Sequence, residues 1–206
     1  MNRWLGPEGR LQNVFEWVRN IALLNICFVL SCVPVFTIGA SLTALSSMSL
    51  RLLRGEEGHV FKDYWQAFRE NFIQSTKLWL ILLVIGLWFA VDFWALNQLS
   101  GTLSFALKII LGTLCLVYIA VLHYVFAYNA RFNDSTWVCL KNSLILCGSN
   151  LLHTFSLICI TFLSLFASLY SEAFFLRAIF VWLVLGFGAV SLLQCFLLSR
   201  IFARYE

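Results

Sequence analysis

The feature that most constrains this chain is a series of long stretches without a charged residue. These stretches are Asn20 to Leu50, Leu78 to Val91, Ile109 to Ala130, Asn142 to Ser171 and Ala178 to Ser199. A helix crosses a hydrocarbon core of about 30 Å with roughly 20 apolar residues. Only 12 % of the residues are charged, whereas soluble domains carry about 25 %. The sequence therefore predicts one all-α integral membrane domain over residues 1–206.

The first stretch is too long for one helix that crosses a membrane. Its 31 residues would extend about 46 Å as a continuous helix. Pro34 and Gly39 lie in its middle, where proline removes a backbone donor and glycine accepts turn geometries. We expect a break here, which is either a tightly packed helical hairpin or a substrate site. The predicted spans are residues 18–34, 38–53, 76–97, 108–129, 150–170 and 177–199.

The positions of Lys and Arg favour six spans over five. With six spans, 12 of the 14 Lys and Arg residues lie on one side, whereas five spans place at best 9 there. Positive charge concentrates in short cytoplasmic loops, so the sequence predicts three hairpins with both termini in the cytoplasm. A re-entrant first hairpin that never reaches the far side gives the same charge distribution and stays open as an alternative.

Three segments before the hairpins are predicted to form short interfacial helices on the cytoplasmic side. They are Leu11–Asn20, Val60–Asn71 and Ser135–Asn142. In the second segment, Phe61, Trp65 and Phe68 recur at helical spacing, which suits a helix in the headgroup region. Each segment ends in a cation and an Asn, as at Asn71 and Asn142. A thrice-repeated unit and a common pattern at the start of membrane helices are both compatible with this similarity.

Ionisable residues at membrane depth are candidates for function because a charge in hydrocarbon is costly. Asp92 is expected near the outer end of its span, where it either anchors the helix at the interface or forms an ion pair with Lys108 or Arg177, or else belongs to a proton or solute site. His123 is expected either to bond between helices as a neutral ring or to relay protons. The amides within the spans are predicted to bond between helices: Asn25, Asn97, Asn150 and Gln194.

The sequence contains no motif that supports catalysis. It has no GxxxxGK[ST] or GxGxxG phosphate loop, no HExxH zinc motif and no GxSxG nucleophile turn. None of the seven cysteines forms a CxxC pair, and the basic residues form no stripe of the kind that binds nucleic acid. We expect no enzyme and no catalytic, cofactor-binding or metal-ligating residues.

The segment Pro34–Ala40, PVFTIGA, resembles the early turn of the YesL family of bacterial membrane proteins (domain of unknown function 624). A Phe-x-x-Asn-Phe-like pattern of that family is matched at Phe68–Phe72, an Ala-Arg-Phe at Ala130–Phe132 and a Lys-Asn at Lys141–Asn142. These markers cover about residues 10–150, and only the hydropathy is similar beyond them.

The resemblance implies a compact helical bundle in the bacterial plasma membrane, in a family without an established activity whose genes often lie near carbohydrate-uptake systems of the ABC type. We expect a non-enzymatic accessory protein that binds a neighbouring transporter through residues 60–75 and 134–149. A small secondary transporter or channel is the alternative, and a lipid-sensing or envelope-structural protein is a third possibility. The candidate functional residues are Pro34, Thr37, Gly39, Asn71, Asp92, His123, Arg131 and Asn142.

Overall fold

The computed structural model describes residues 10–56, 58–132, 134–169 and 179–204. Their helices are α1 (Arg10–Ser31), α2 (Ile38–Leu53), α3 (Val60–Asn97), α4 (Thr102–Arg131), α5 (Thr136–Ser149), α6 (Leu151–Leu169) and α7 (Ile179–Phe202). These described ranges contain no strand. Six of their helices, all except α5, are long and apolar enough to cross a membrane. The predicted all-α bundle with about six membrane helices is therefore confirmed.

The chain breaks between α1 and α2 close to the predicted position. Helix α1 ends at Ser31, Val35–Thr37 form a single 3₁₀ turn, and α2 begins at Ile38. Pro34 has an extended backbone, with φ −79° and ψ 124°, because its ring fixes φ and disfavours helix in the residue before it. The first span therefore ends slightly earlier than the predicted residue 34, whereas the second has the predicted bounds.

Two of the three predicted interfacial helices are not separate elements. Residues 11–20 belong to α1, and residues 60–71 are continuous with the following span in α3, whose 38 residues extend about 57 Å. Helix formation is cooperative, and no Gly or Pro interrupts residues 60–85. Of the three predicted segments, only α5 forms a separate helix. Asn150, with φ −126° and ψ 53°, has a non-helical backbone and separates α5 from α6.

Helix α2 is the most deeply packed of the six membrane helices. It forms one apolar cluster with α1 and the first half of α3, which includes Leu24, Phe28, Leu45, Met48 and Tyr64. A second cluster joins α3 and α4 to α5, α6 and α7 through residues that include Leu78, Tyr124, Cys139, Leu157 and Ile201. The two clusters together enclose α2 and the middle of α3.

Beyond Leu82, α3 leaves this core and pairs with the first part of α4. None of residues 83–97 is buried, and the Tyr118 hydroxyl of α4 donates to the Leu82 carbonyl at 2.8 Å. The Trp79 Nε1–H donates to the Val35 carbonyl at 2.9 Å, so the tip of the α1–α2 hairpin lies beside Trp79. At 1.5 Å per residue, α3 continues about 27 Å beyond that point. Helix α2 therefore packs beside the first half of α3, and the tips of the first two hairpins are staggered.

Candidate functional site

The Pro34–Gly39 motif forms a closely packed turn between two helices. The Thr37 hydroxyl lies 2.6 Å from the carbonyl oxygen of Ser31 and 2.7 Å from that of Pro34, which ties the end of α1 to the start of α2. A Cβ atom on Gly39 would lie 2.5 Å from both the Ser75 carbonyl oxygen and the Trp79 Cβ. These contacts support the packing interpretation of the motif over a substrate site.

A buried chain of hydrogen bonds crosses the bundle next to Gly39. The Asn129 Nδ2 donates to the Ser75 hydroxyl at 2.9 Å, and this hydroxyl donates to the Thr43 hydroxyl at 2.9 Å. All three side chains are buried, so the chain connects α2, α3 and α4 in the core. The sequence did not predict this hydrogen-bond chain. Its polar residues are recognisable within the apolar stretches, but their spacing does not indicate which of them contact each other.

The predicted candidate Asn142 belongs to a polar cluster at the end of α4. Its Nδ2 donates to the Tyr128 hydroxyl at 2.7 Å, and that hydroxyl donates to the Asp134 carboxylate at 2.5 Å. The Gln74 Nε2 donates to the Asp134 backbone carbonyl at 2.5 Å. Arg131 lies on the same turn as Tyr128 and is half-buried. The cluster fixes the connection from α4 to α5 against α3.

The remaining predicted candidates lie apart from that cluster. The Asn71 Nδ2 donates to the Ala67 carbonyl of its own helix at 3.0 Å. Asp92 is half-buried on the part of α3 beyond the core, and within the described ranges it forms no ion pair with Lys108, one of the alternatives for this residue. The other expected partner, Arg177, lies outside the described residues. In the same part of the chain, no three His, Cys, Asp or Glu residues gather in a way that could hold a metal.

A cavity of about 620 Å³ lies among α1, α2, α4, α6 and α7. Its volume falls in the range of roughly 300–1,000 Å³ that is typical of ligand pockets. Most of its lining is Leu, Phe and other apolar side chains, and none of the lining residues is Asp, Glu, Lys or Arg. The polar lining residues are Ser46, His123, Thr161, Ser164, Ser168, Trp182, Ser191 and Gln194.

His123 is held in this cavity wall by a directional hydrogen-bond chain. Its Nδ1 lies 2.8 Å from the Ile119 carbonyl oxygen, which can only accept, so we assign the ring proton to Nδ1. The Nε2 of a neutral ring then accepts, and it lies 2.8 Å from the Thr161 hydroxyl. The Gln194 Nε2 donates to the same hydroxyl at 2.9 Å. The bonding between helices expected for His123 and Gln194 is thus present and joins α4, α6 and α7.

The cavity lining also includes Trp182 and Leu183, which belong to a π-helical stretch of α7, Trp182–Gly186. Such a stretch takes backbone groups out of the regular helical pattern. The buried Asn25 of α1 satisfies them, because its Nδ2 donates to the Trp182 and Leu183 carbonyls at 2.9 and 2.7 Å. Its Oδ1 accepts from the Gly188 N–H at 2.9 Å. The sequence predicts a bond between helices for Asn25, but nothing in it indicated a π-helical partner.

Cys139 of α5 is buried, and its reactivity tests how α5 packs against the rest of the bundle. Burial raises the pKa of its thiol to about 12, since a low-dielectric environment penalises the thiolate. Only the thiolate reacts, so we expect a maleimide to leave Cys139 unmodified up to about pH 9. The Lys141→Cys variant places a thiol at an exposed position of the same helix and should be modified faster as the pH rises. Peptide mass spectrometry measures both sites, and equal rates would contradict the burial of Cys139.

Comparisons with known proteins bear on the family resemblance. Residues 21–93 match a family model described as "Protein of unknown function, DUF624". The uncharacterized protein YteU of Bacillus subtilis (strain 168) is 27 % identical over 160 residues, which cover 76 % of this chain and 72 % of YteU. No solved structure matches the chain at a significant level. The family match includes α2 and most of α3, whereas the α4, α6 and α7 walls of the cavity lie beyond it.

Proposed function

We propose, from the match of residues 21–93 to the DUF624 family model and the 27 % identity with YteU, that this chain is a non-enzymatic accessory membrane protein that docks on the permease of a carbohydrate ABC-type uptake system. It is a multi-pass membrane protein by the length and apolar character of its helices. The distribution of Lys and Arg supports a bacterial plasma-membrane orientation with both termini in the cytoplasm. The partner class rests on the gene neighbourhood that the family resemblance implies.

The observation that carries this proposal is the exposed face of the first half of α3. Its opposite face, with Tyr64 and Ala67, is buried against α1 and α2. The exposed face combines aromatic rings with charges of both signs around a shallow groove, lined by Phe61, Lys62, Trp65, Gln66, Arg69 and Glu70. Protein interfaces are enriched in aromatic residues and Arg, whereas lipid hydrocarbon would penalise the charges.

The aromatic rings of this face pack against one another. The Trp65 ring packs edge-on against Phe61 and Phe68, with centroids 6.4 and 5.4 Å apart, and Phe61 is still 61 % exposed. Helix α5 adds a second exposed anchor, Trp137, which is 76 % exposed. Rigid, exposed aromatic side chains lose little entropy on binding, which makes them suitable docking residues.

Photo-cross-linking in native membranes tests the docking surface. We expect a photoreactive benzoylphenylalanine at Phe61 to trap the permease subunit of an uptake system, which mass spectrometry identifies. The matched control places the same group at Leu103, which is 75 % exposed at the start of α4 and does not line this groove. Arg69→Glu should weaken the Phe61 cross-link, because it reverses a charge in the groove. A Phe61 cross-link no stronger than that of Leu103, or one to proteins unrelated to uptake, would overturn the proposal.

A small secondary transporter or channel is the second candidate, and the cavity with its π-helical wall favours it. Interrupted helices form the solute and ion sites of many transporters. Two observations weigh against this candidate. Asp92 does not line the cavity, and both ring nitrogens of His123 already form hydrogen bonds. Solute or proton flux in reconstituted liposomes that His123→Ala abolishes would favour this candidate over the accessory role.

A further inference from the structure

We propose that the cavity among α1, α2, α4, α6 and α7 binds an uncharged amphiphile of the bilayer, with alkyl chains and a hydroxyl or ester head group, as in a diacylglycerol. This inference goes beyond the accessory role and does not depend on it. Three observations support it: the apolar lining, the polar groups left for a head group, and the side on which the cavity opens.

The lining suits alkyl chains and disfavours a charged head group. Apolar side chains from several helices face the cavity, among them Phe28, Leu42, Leu45, Leu122 and Phe126. No lining residue carries a formal charge when His123 is neutral. An anionic phosphate buried here would have no countercharge, which is costly in a low-dielectric site. The cavity therefore selects an uncharged ligand.

Gln194 supplies hydrogen-bonding capacity for a neutral head group. One N–H of its amide is used on the Thr161 hydroxyl, which also lies within hydrogen-bond distance of the His123 Nε2 and of the Leu157 carbonyl oxygen. The second N–H and the Oε1 of Gln194 form no hydrogen bond with the described part of the chain. A ligand hydroxyl can donate to this Oε1, and an ester carbonyl can accept from the remaining N–H.

The cavity opens toward the apolar outer surface of the helices. Several of its lining residues are also among the exposed hydrophobic residues: Leu165 of α6 and Ile179, Leu183 and Phe187 of α7. In a membrane this surface contacts lipid, so the natural ligand source is the bilayer and not the aqueous phase. A lipid can therefore reach the cavity from the bilayer by lateral diffusion.

Photolabelling of the purified full chain in phosphatidylcholine nanodiscs tests the site. The probe is a diacylglycerol with a diazirine in one acyl chain, and the comparison probe is a phosphatidylglycerol with the same diazirine. We expect the diacylglycerol to label peptides of α6 and α7, with unlabelled diacylglycerol as an effective competitor. The anionic probe should label these peptides several-fold less.

Paired variants separate the cavity from general lipid contact. Ser164→Trp fills the cavity and should remove most of the competed labelling, whereas Leu163→Trp, at a neighbouring position that is 70 % exposed, should preserve it. Gln194→Leu should weaken competition by about threefold to tenfold, because it removes one or two hydrogen bonds within a membrane.

Two results would overturn the proposal: equal labelling by the anionic probe, and labelling that Ser164→Trp leaves unchanged. Either result would show that the probe contacts only the lipid-exposed surface of the protein. If Ser164→Trp lowers the thermal midpoint strongly, Gln194→Leu decides alone, and unchanged competition overturns the assigned head-group site. The Phe61 cross-link reports on another surface, so failure of one proposal is distinguishable from failure of the other.

Discussion

Gly39→Ala should lower the thermal midpoint of the protein by about 6–12 °C, which corresponds to about 3 kcal/mol for a chain of this size. The added Cβ would lie 2.5 Å from the Ser75 carbonyl oxygen and from the Trp79 Cβ. Neither atom is the far end of a flexible side chain, so α2 and α3 must separate. The bonds from Ser75 to Thr43 and from Trp79 to Val35 cross the same contact and should weaken with it.

Gly112→Ala is the matched control for this prediction. Gly112 also lies within a membrane helix, but a Cβ there meets nothing within 4 Å. Alanine is the better helix former by about 0.5–1 kcal/mol, so the midpoint should stay or rise slightly. Size-exclusion chromatography of heated detergent samples measures both variants. Equal shifts would contradict the close approach of α2 and α3.

The second large effect is expected at Asn25, where Asn25→Leu should destabilise the fold by about 2–5 kcal/mol. Leucine has a similar size but leaves the Trp182 and Leu183 carbonyls and the Gly188 N–H without their side-chain partner. These groups lie in or beside the π-helical stretch, where the regular helical pattern does not satisfy them. Loss of three bonds in an apolar environment is therefore costly.

Asn71→Leu controls for the change from amide to alkyl side chain. Within the described residues, the Asn71 Nδ2 donates to the Ala67 carbonyl of the same helix alone, so the loss of this bond should change the free energy of unfolding by less than about 1 kcal/mol. The same heated-sample assay applies. A midpoint for Asn25→Leu that falls no further than that of Asn71→Leu would show that the π-helical stretch forms without Asn25.

The spans were predictable because their causes are local in the chain. A long stretch without charged residues indicates a span, because charge in hydrocarbon is costly. Proline disfavours helix through its own ring, so the break at Pro34 was predictable and α2 has the predicted bounds of residues 38–53. The ends of α1 and α3 were less predictable. Residues 60–71 are amphipathic, whereas the span after them is apolar, and both patterns are compatible with helix. Composition therefore did not reveal that the two segments form one continuous helix, α3.

The candidate site was only partly predictable. Gly39, His123 and Gln194 were recognisable as small or polar residues inside apolar stretches, and Asn142 as part of a motif. Their partners were not, because Ser75, Thr161 and the Trp182 carbonyl are distant in the chain and no periodicity connects them. The Asp92–Lys108 alternative could not be decided from the sequence for the same reason: a shared side of the membrane does not specify a distance.

The amino-acid sequence by itself determined that this protein is a helical membrane protein and where its first hairpin turns, because hydrocarbon excludes charge and proline interrupts helix regardless of what surrounds them. Only the tertiary structure decided that α2 packs beside the first half of α3, that Asn25 supports a π-helical stretch, and that five helices line a cavity. Those features depend on which helix faces meet, and that choice follows from shape and hydrogen-bond complementarity between residues far apart in the chain.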